Sequence, residues 1–227
     1  MLQFDIITIF PEIFTSYFSE SIILRGQKKK LIKINVHNLR KWTKDKRKTV
    51  DDKPYGGGPG MVVKIEPLAR AISSILKLKI KNEKLKSKVK IILFSAGGKQ
   101  FDNEAAIGLA KKYSRLILIC GHYEGVDERI KKVIKDLGFE FSEISIGPYV
   151  LTGGELPAMV LTDAVARQIP GVLGKTESLE EKRLGVGVPA YTRPEIFKFR
   201  NKKYAVPKVL LSGDHKKIEE WRLKQIK

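Results

Sequence analysis

The sequence predicts an α/β fold in which a parallel sheet is covered by helices on both faces. Near-continuous apolar runs at 89–94 and 116–120 have the character of strands buried on both sides. Stretches of helical spacing separate such runs, as in Leu68, Ala71, Ile72, Ile75 and Leu76. Three successive strands then lead into glycine-bearing loops at 95–98, 121–125 and 145–154. Ligands of open α/β sheets bind beyond the carboxyl ends of the strands. One such loop reads equally well as a tight turn, but three in succession predict a small-molecule site.

Residues 2–10 alternate loosely and stop at Pro11, which predicts a buried strand followed by a helix to about residue 27. Residues 33–39 alternate with period two and predict a second strand. The polar segment 40–60 follows, holding Asp51-Asp52-Lys53-Pro54-Tyr55-Gly56-Gly57-Gly58-Pro59-Gly60. A loop of that length inside a compact domain is functional or mobile. It lacks the Gly-Lys-Ser/Thr ending of a P-loop, so nothing supports a nucleoside triphosphate site. Helical spacing from 66 to about 80 runs into 77–90, where lysine dominates, which predicts a solvated helix end and connector. After the strand at 89–94, Asp102 is placed to cap a helix reaching Tyr113. The strand at 116–120 precedes Gly121-His122-Tyr123-Glu124-Gly125 and a helix over 126–137.

Phe139, Phe141, Ile144 and Ile146 alternate as a further strand. It leads through the loop Ser145 to Pro157 into an amphipathic helix over 155–169, with Pro157 in the first turn, where a missing N–H costs nothing. Residues 171–190 carry charges and glycines without apolar period and predict a linker. Beyond it, Asp214 can cap a final helix through Trp221. The predicted domains are 1–169, a linker 170–190, and a short C-terminal domain 191–227.

The chain has 227 residues, 42% of them hydrophobic, with no apolar run near the ~20 residues of a membrane span. Its start lacks a basic leader region, and its one cysteine fits a reducing interior, so cytoplasm is the expected location and no membrane partner is expected. A net charge of +19 points to a polyanionic partner, nucleic acid first, although lysine richness also follows from genome composition. His37, His122 and His215 lie far apart and, with one cysteine, give no metal-ligand spacing. Cys120 beside His122 is better read as a buried strand cysteine than as a nucleophile. No Gly-x-Gly-x-x-Gly fingerprint occurs.

Several long motifs resemble the bacterial tRNA (guanine-N1)-methyltransferases, the TrmD family of the SPOUT superfamily. They are 51–61, Cys120 to Arg129, Ser145 to Met159, Ile169 to Gly174, Tyr191 to Glu195, and Leu210 to Arg222. The match runs in order along essentially the whole chain. It implies a deep trefoil knot within the parallel α/β sheet, a small helical C-terminal domain that binds tRNA, a homodimer, and S-adenosylmethionine as methyl donor, with Mg²⁺ used in the family. The implied donor site comprises Phe94, Ser95, Ala96, Gly121, Tyr123, Glu124, Ile146, Gly147, Pro148, Tyr149, Val150, Leu151, Gly153 and Pro157. His122 stands where arginine is frequent, and Pro148 where an acidic residue is frequent.

The implied reaction is methylation of N1 of the guanosine 3′ of the anticodon (position 37). Guanine N1 carries a proton at neutral pH, so a carboxylate base is needed, and a cation should meet charge growing on O6. Arg167 matches the family's catalytic arginine. The family's aspartate, usually followed by Ser-Phe, is absent from this linker, where Glu180 and Glu181 are the nearest carboxylates. Glu181 is favoured because Lys182 and Arg183 adjoin it. Two other readings stay open: a non-catalytic RNA-binding relative, and a methyltransferase of the same fold acting on another RNA nucleotide.

Overall fold

A computed structural model describes residues 1–77, 88–174 and 187–225. The chain divides into two compact units, residues 1–173 and 174–227. The first unit is built on five strands. They are β1 (Leu2–Thr8), β2 (Ile32–Asn38), β5 (Val89–Gln100), β6 (Arg115–Ile119) and β7 (Glu140–Ser145), with a short hairpin of β3 (Asp51–Asp52) and β4 (Val62–Val63) alongside. The sheet order is β2-β1-β6-β5-β7, and every neighbouring pair is parallel.

Strand alternation divides the core in two. Phe4 and Ile6 of β1, Ile92 and Phe94 of β5, and Leu116 and Leu118 of β6 share one cluster. It is completed by α1 (Thr15–Phe18), α2 (Ser21–Lys28), α4 (Asn103–Lys112) and α6 (Glu155–Ala166). Ile91, Leu93, Ile117 and Ile119 point to the other cluster, closed by α3 (Ile65–Lys77) and α5 (Arg129–Asp136). The helical spacing read in the sequence is the buried stripe of α3, where Leu68, Ala71, Ile72, Ile75 and Leu76 are all buried. Asp102 caps α4, its Oδ1 accepting from the Ala105 N–H at 2.7 Å.

The predicted helix over 11–27 is broken instead. A 3₁₀ turn at Pro11–Phe14 runs into α1, and the chain restarts at Ser21 with φ +47°. Gln27 offsets the break, its Nε2 donating to the Phe18 carbonyl at 2.9 Å. The helix expected from 126 begins only at Arg129, because Val126 bridges Val63 and the Asp127 carboxylate accepts from the Arg129 N–H at 3.0 Å. The helix expected over 155–169 ends at Ala166. The expected extension of α3 to residue 80 and most of the lysine-rich connector lie outside the described residues.

The second unit carries a hairpin, β8 (Ile196–Phe199) with β9 (Lys202–Ala205), then α7 (Lys208–Leu211) and α8 (His215–Leu223). Asp214 caps α8 through the Lys217 N–H at 3.2 Å. The small helical C-terminal domain expected from the sequence thus has its two helices, preceded by a hairpin that was not foreseen. Phe197, Phe199 and Tyr204 form a short aromatic–basic alternation that packs as antiparallel strands.

Candidate active site

Three strand ends of the first unit build one concavity. On β5, Phe94 and Lys99 both stand opposite Ile144, so residues 95–98 form a bulge and the strand resumes at 99–100. The sequence reading of a simple loop after residue 94 is corrected accordingly. Gly98 is needed there because a Cβ would come within 2.6 Å of the Ile144 nitrogen, whereas one on Gly97 would meet nothing within 4 Å.

After β6, the segment 121–125 turns through Tyr123 (φ +58°) and Gly125 (φ +108°), closed by the Gly125 N–H donating to the His122 carbonyl at 3.0 Å. The β3–β4 hairpin braces this turn. Glu124 N–H donates to the Met61 carbonyl, Val63 N–H to that of Gly125, and Asp127 N–H to that of Val63, each at 3.0 Å. The strand that follows the long polar segment, β4 with Met61 before it, thus holds the second loop in place.

The third loop is zipped onto the second. Gly154 N–H donates to the Gly121 carbonyl at 2.8 Å, and Gly153 bridges His122. A Cβ on Gly154 would lie 2.7 Å from Cys120 Cα, so only glycine permits this approach.

Together the loops enclose a cavity of about 400 Å³, within the ~300–1,000 Å³ usual for small-molecule sites. It is lined by Phe94, Ser95, Ala96, Gly121, Tyr123, Glu124, Ile146, Tyr149, Val150, Leu151, Gly153 and Pro157. Of the implied donor-site residues, Gly147 and Pro148 are not among its lining. The Gly147 carbonyl accepts from Ser145 Oγ at 2.9 Å, and the Tyr149 ring occupies the space a side chain at 147 would need. At Gly121 a Cβ would meet no protein atom closer than 3.6 Å, so the missing side chain leaves room in the cavity.

Among the described residues the lining contains no lysine or arginine, in a chain of net charge +19. It does contain Glu124, Glu128 and Glu143, the last two unforeseen from the sequence. Glu143 sits next to the predicted core residue Ile144, and alternation on β7 was the one signal that could have found it. Lys131 Nζ lies 2.5 Å from Glu128 Oε1 and 2.7 Å from Glu143 Oε1. Glu124 has no ion pair among the described residues. The wall therefore favours a small molecule carrying positive charge.

Behind the wall, buried Glu155 accepts from Thr8 Oγ1 at 2.7 Å, and Thr8 Oγ1 accepts from the Phe10 N–H at 2.9 Å. His122 Nδ1 is buried without a hydrogen bond, 3.9 Å from Glu155 Oε2. Burial, with the nearby Glu155 charge, pushes the Cys120 thiol well above its ordinary range, which argues against a thiolate nucleophile. Arg167 is the C-cap of α6, its N–H donating to the Asp163 carbonyl at 3.1 Å, and it is not among the cavity's lining residues. Glu180 and Glu181 lie outside the described residues. Among the described residues no three His, Cys, Asp or Glu side chains cluster as metal ligands, and no helix is long and apolar enough to cross a membrane.

Comparison with known proteins extends over the whole chain. The family described as tRNA (Guanine-1)-methyltransferase TrmD matches residues 2–227. A tRNA (guanine-N(1)-)-methyltransferase of Dictyoglomus turgidum is 49% identical over 228 residues, 99% of this chain and 85% of that protein. Its counterpart in Ruminiclostridium cellulolyticum is 48% identical over 227 residues, covering 99% and 91%. That of Thermomicrobium roseum is 46% identical over 224 residues, covering 97% and 77%.

Proposed function

The chain belongs to the tRNA (guanine-1)-methyltransferase family, and from that premise we propose that it moves a methyl group from S-adenosylmethionine to N1 of guanosine in tRNA, at the position 3′ of the anticodon. The observation that carries the reading is the convergence of three glycine-bearing strand ends on one cavity whose described lining has carboxylates but no lysine or arginine. When bound, S-adenosylmethionine supplies an electrophilic methyl group on a sulfonium. The cavity suits it: Glu124, Glu128 and Glu143 favour its positive charges, and the space at Gly121 admits close contact with the main chain.

Methyl transfer from a sulfonium needs alignment rather than a covalent enzyme intermediate. Guanine N1 lies on the pairing edge of the base, so the nucleotide must be unstacked and splayed toward the pocket. Arg167 is assigned to the charge that grows on O6, and Glu181 or Glu180 to the N1 proton. The reading carries with it, as further proposals, a knotted sheet, a methyltransferase domain over 1–169 joined by the linker 170–190 to a tRNA-binding domain over 191–227, a homodimer, and a cytoplasmic location. Mg²⁺ is expected from the family. The described residues offer no cluster to hold it, and no step is routed through it.

The decisive experiment incubates the protein with labelled S-adenosylmethionine and anticodon stem-loops, with and without guanosine 3′ of the anticodon. Label should enter only the first and only at N1. Binding without transfer, or transfer to another nucleotide, would establish one of the rival readings. In single-turnover reactions the double variant Glu180→Gln with Glu181→Gln should lose roughly 10²–10⁴ in rate, the usual worth of a positioned base. Glu177→Gln should change little.

A further inference from the structure

The β8–β9 hairpin, within the segment 191–227 already proposed to bind tRNA, has a composition that says how it would do so. Its strands pair with Phe197 opposite Tyr204 and Phe199 opposite Lys202, so three aromatic rings share one face. The rings of Phe197 and Phe199 are stacked, 6.1 Å apart at 14°, and Tyr204 lies 6.4 Å from Phe197. Each of the three is more than half exposed. The guanidinium of Arg200 sits 5.5 Å from the Phe199 ring centre. Arg200 holds φ +50° in the two-residue turn, where glycine or asparagine would be less strained. On the opposite face Lys198 stands directly across from Lys203, a like-charge pair that costs stability when isolated. Residues 196–205 contain four basic side chains besides the turn asparagine and no acidic one, counting Lys198, Arg200, Lys202 and Lys203.

Exposed aromatics flanked by unbalanced positive charge on both faces match one kind of partner. A protein partner disfavours lysine at its contact core. Unpaired nucleotides supply both halves, π-faces for the rings and phosphates for the cations. We propose that this hairpin is a stacking platform for unpaired nucleotides of the RNA substrate. Phe197, Phe199 and Tyr204 hold bases, and Lys202, on the same face, and Arg200, against Phe199, neutralise the adjoining phosphates. The proposal rests on tRNA being the substrate and adds where and how it is gripped.

The test uses the full chain and fluorescent tRNA, reading affinity by anisotropy, cofactor affinity by calorimetry and assembly by sedimentation. Phe199→Leu with Tyr204→Leu keeps apolar bulk and removes the stacking faces. It should weaken RNA binding by roughly 5- to 150-fold, with cofactor affinity and assembly unchanged. Phe199→Trp should bind as the parent does. Arg200→Gln with Lys202→Gln should flatten the salt dependence of log affinity by about 1.4, from two lost phosphate contacts. Unchanged RNA affinity in the leucine variant overturns the platform. So does a change in sedimentation at constant RNA affinity, which would show that the face is covered by a second copy. If the parent binds tRNA but transfers no methyl group, the enzymatic reading fails while the leucine variant still decides the platform.

Discussion

Asp5 is the most deeply placed charge among the described residues, 1% exposed and on the interior strand β1, between β2 and β6. Burial alone would push its carboxyl up. Hydrogen bonds from His37 (2.7 Å), Arg115 (2.7 Å) and Asn35 (2.9 Å), with the Arg115 charge, outweigh that and hold it well below the usual carboxylate range. A folded-state value below the unfolded one, about 3.9, gives stability that is present above that pH and lost as pH falls toward the folded value. Asp5→Asn should therefore cost about 3 kcal/mol at pH 7, because Arg115 is left without its charge partner in a mostly buried place. The penalty should shrink between pH 5 and pH 3. Urea midpoints of both proteins at pH 7, 5 and 3 measure this, and a pH-independent difference would assign the network no electrostatic role. Gly121 makes a second prediction at this scale. A Cβ there meets protein only at ordinary contact distances of 3.6 Å and beyond, so valine can be accommodated and narrows the cavity it lines. Gly121→Val should therefore lower S-adenosylmethionine affinity by about tenfold or more, near 1.4 kcal/mol. Calorimetry showing unchanged affinity would move the donor site elsewhere.

At the scale of elements, the apolar strands and the helical stripe of α3 were plain in the sequence because burial alone dictates them. The departures have physical reasons that a pattern does not carry. The strand β5 continues past residue 94 only because β7 offers partners to Lys99 and Gln100 beyond the bulge, a matter of tertiary register. The interrupted helix at 11–28 depends on Gln27 reaching back to the Phe18 carbonyl. The three glycine loops were legible because a wall made of main chain needs glycine. The carboxylates Glu128 and Glu143 were not, since strand register and a helix start decide where they point. The bulge supplies the element-scale prediction. Gly98→Ala forces its Cβ against the β7 backbone and should cost roughly 1–3 kcal/mol, as overpacking does. Gly97→Ala, with nothing within 4 Å, should be close to neutral. Equal thermal midpoints for the two variants would contradict the register of β5 on β7.

At the scale of the molecule, the α/β class follows from the sequence, but the strand order 2-1-6-5-7 does not, because nothing local says that β5 enters between β6 and β7. Assembly is a further whole-molecule property, and the first unit bears on it. Leu156 and Val160, one turn apart on α6, are 55% and 46% exposed, and Ile13 and Tyr17 on the preceding segments are 44% and 43% exposed. Tyr17 meets Asp163 of α6, so the two segments are neighbours and the four side chains form one apolar strip. Strips of this kind mark interaction surfaces, and a second copy of the chain is the proposed occupant. Leu156→Lys with Val160→Lys should convert a dimer to monomer in sedimentation and abolish transfer. A sharper test mixes two impaired proteins, Gly121→Val, assayed at S-adenosylmethionine well below its weakened affinity, and the double variant Glu180→Gln with Glu181→Gln. If each site joins the cavity of one protomer to the linker of its partner, half of the mixed dimers are hybrids with one intact site of two. Activity should then recover to about one quarter of the parent's. No recovery after subunit exchange would mean that each protomer completes its own site, while an unchanged sedimentation of the lysine variant would show that the strip is not the dimer contact.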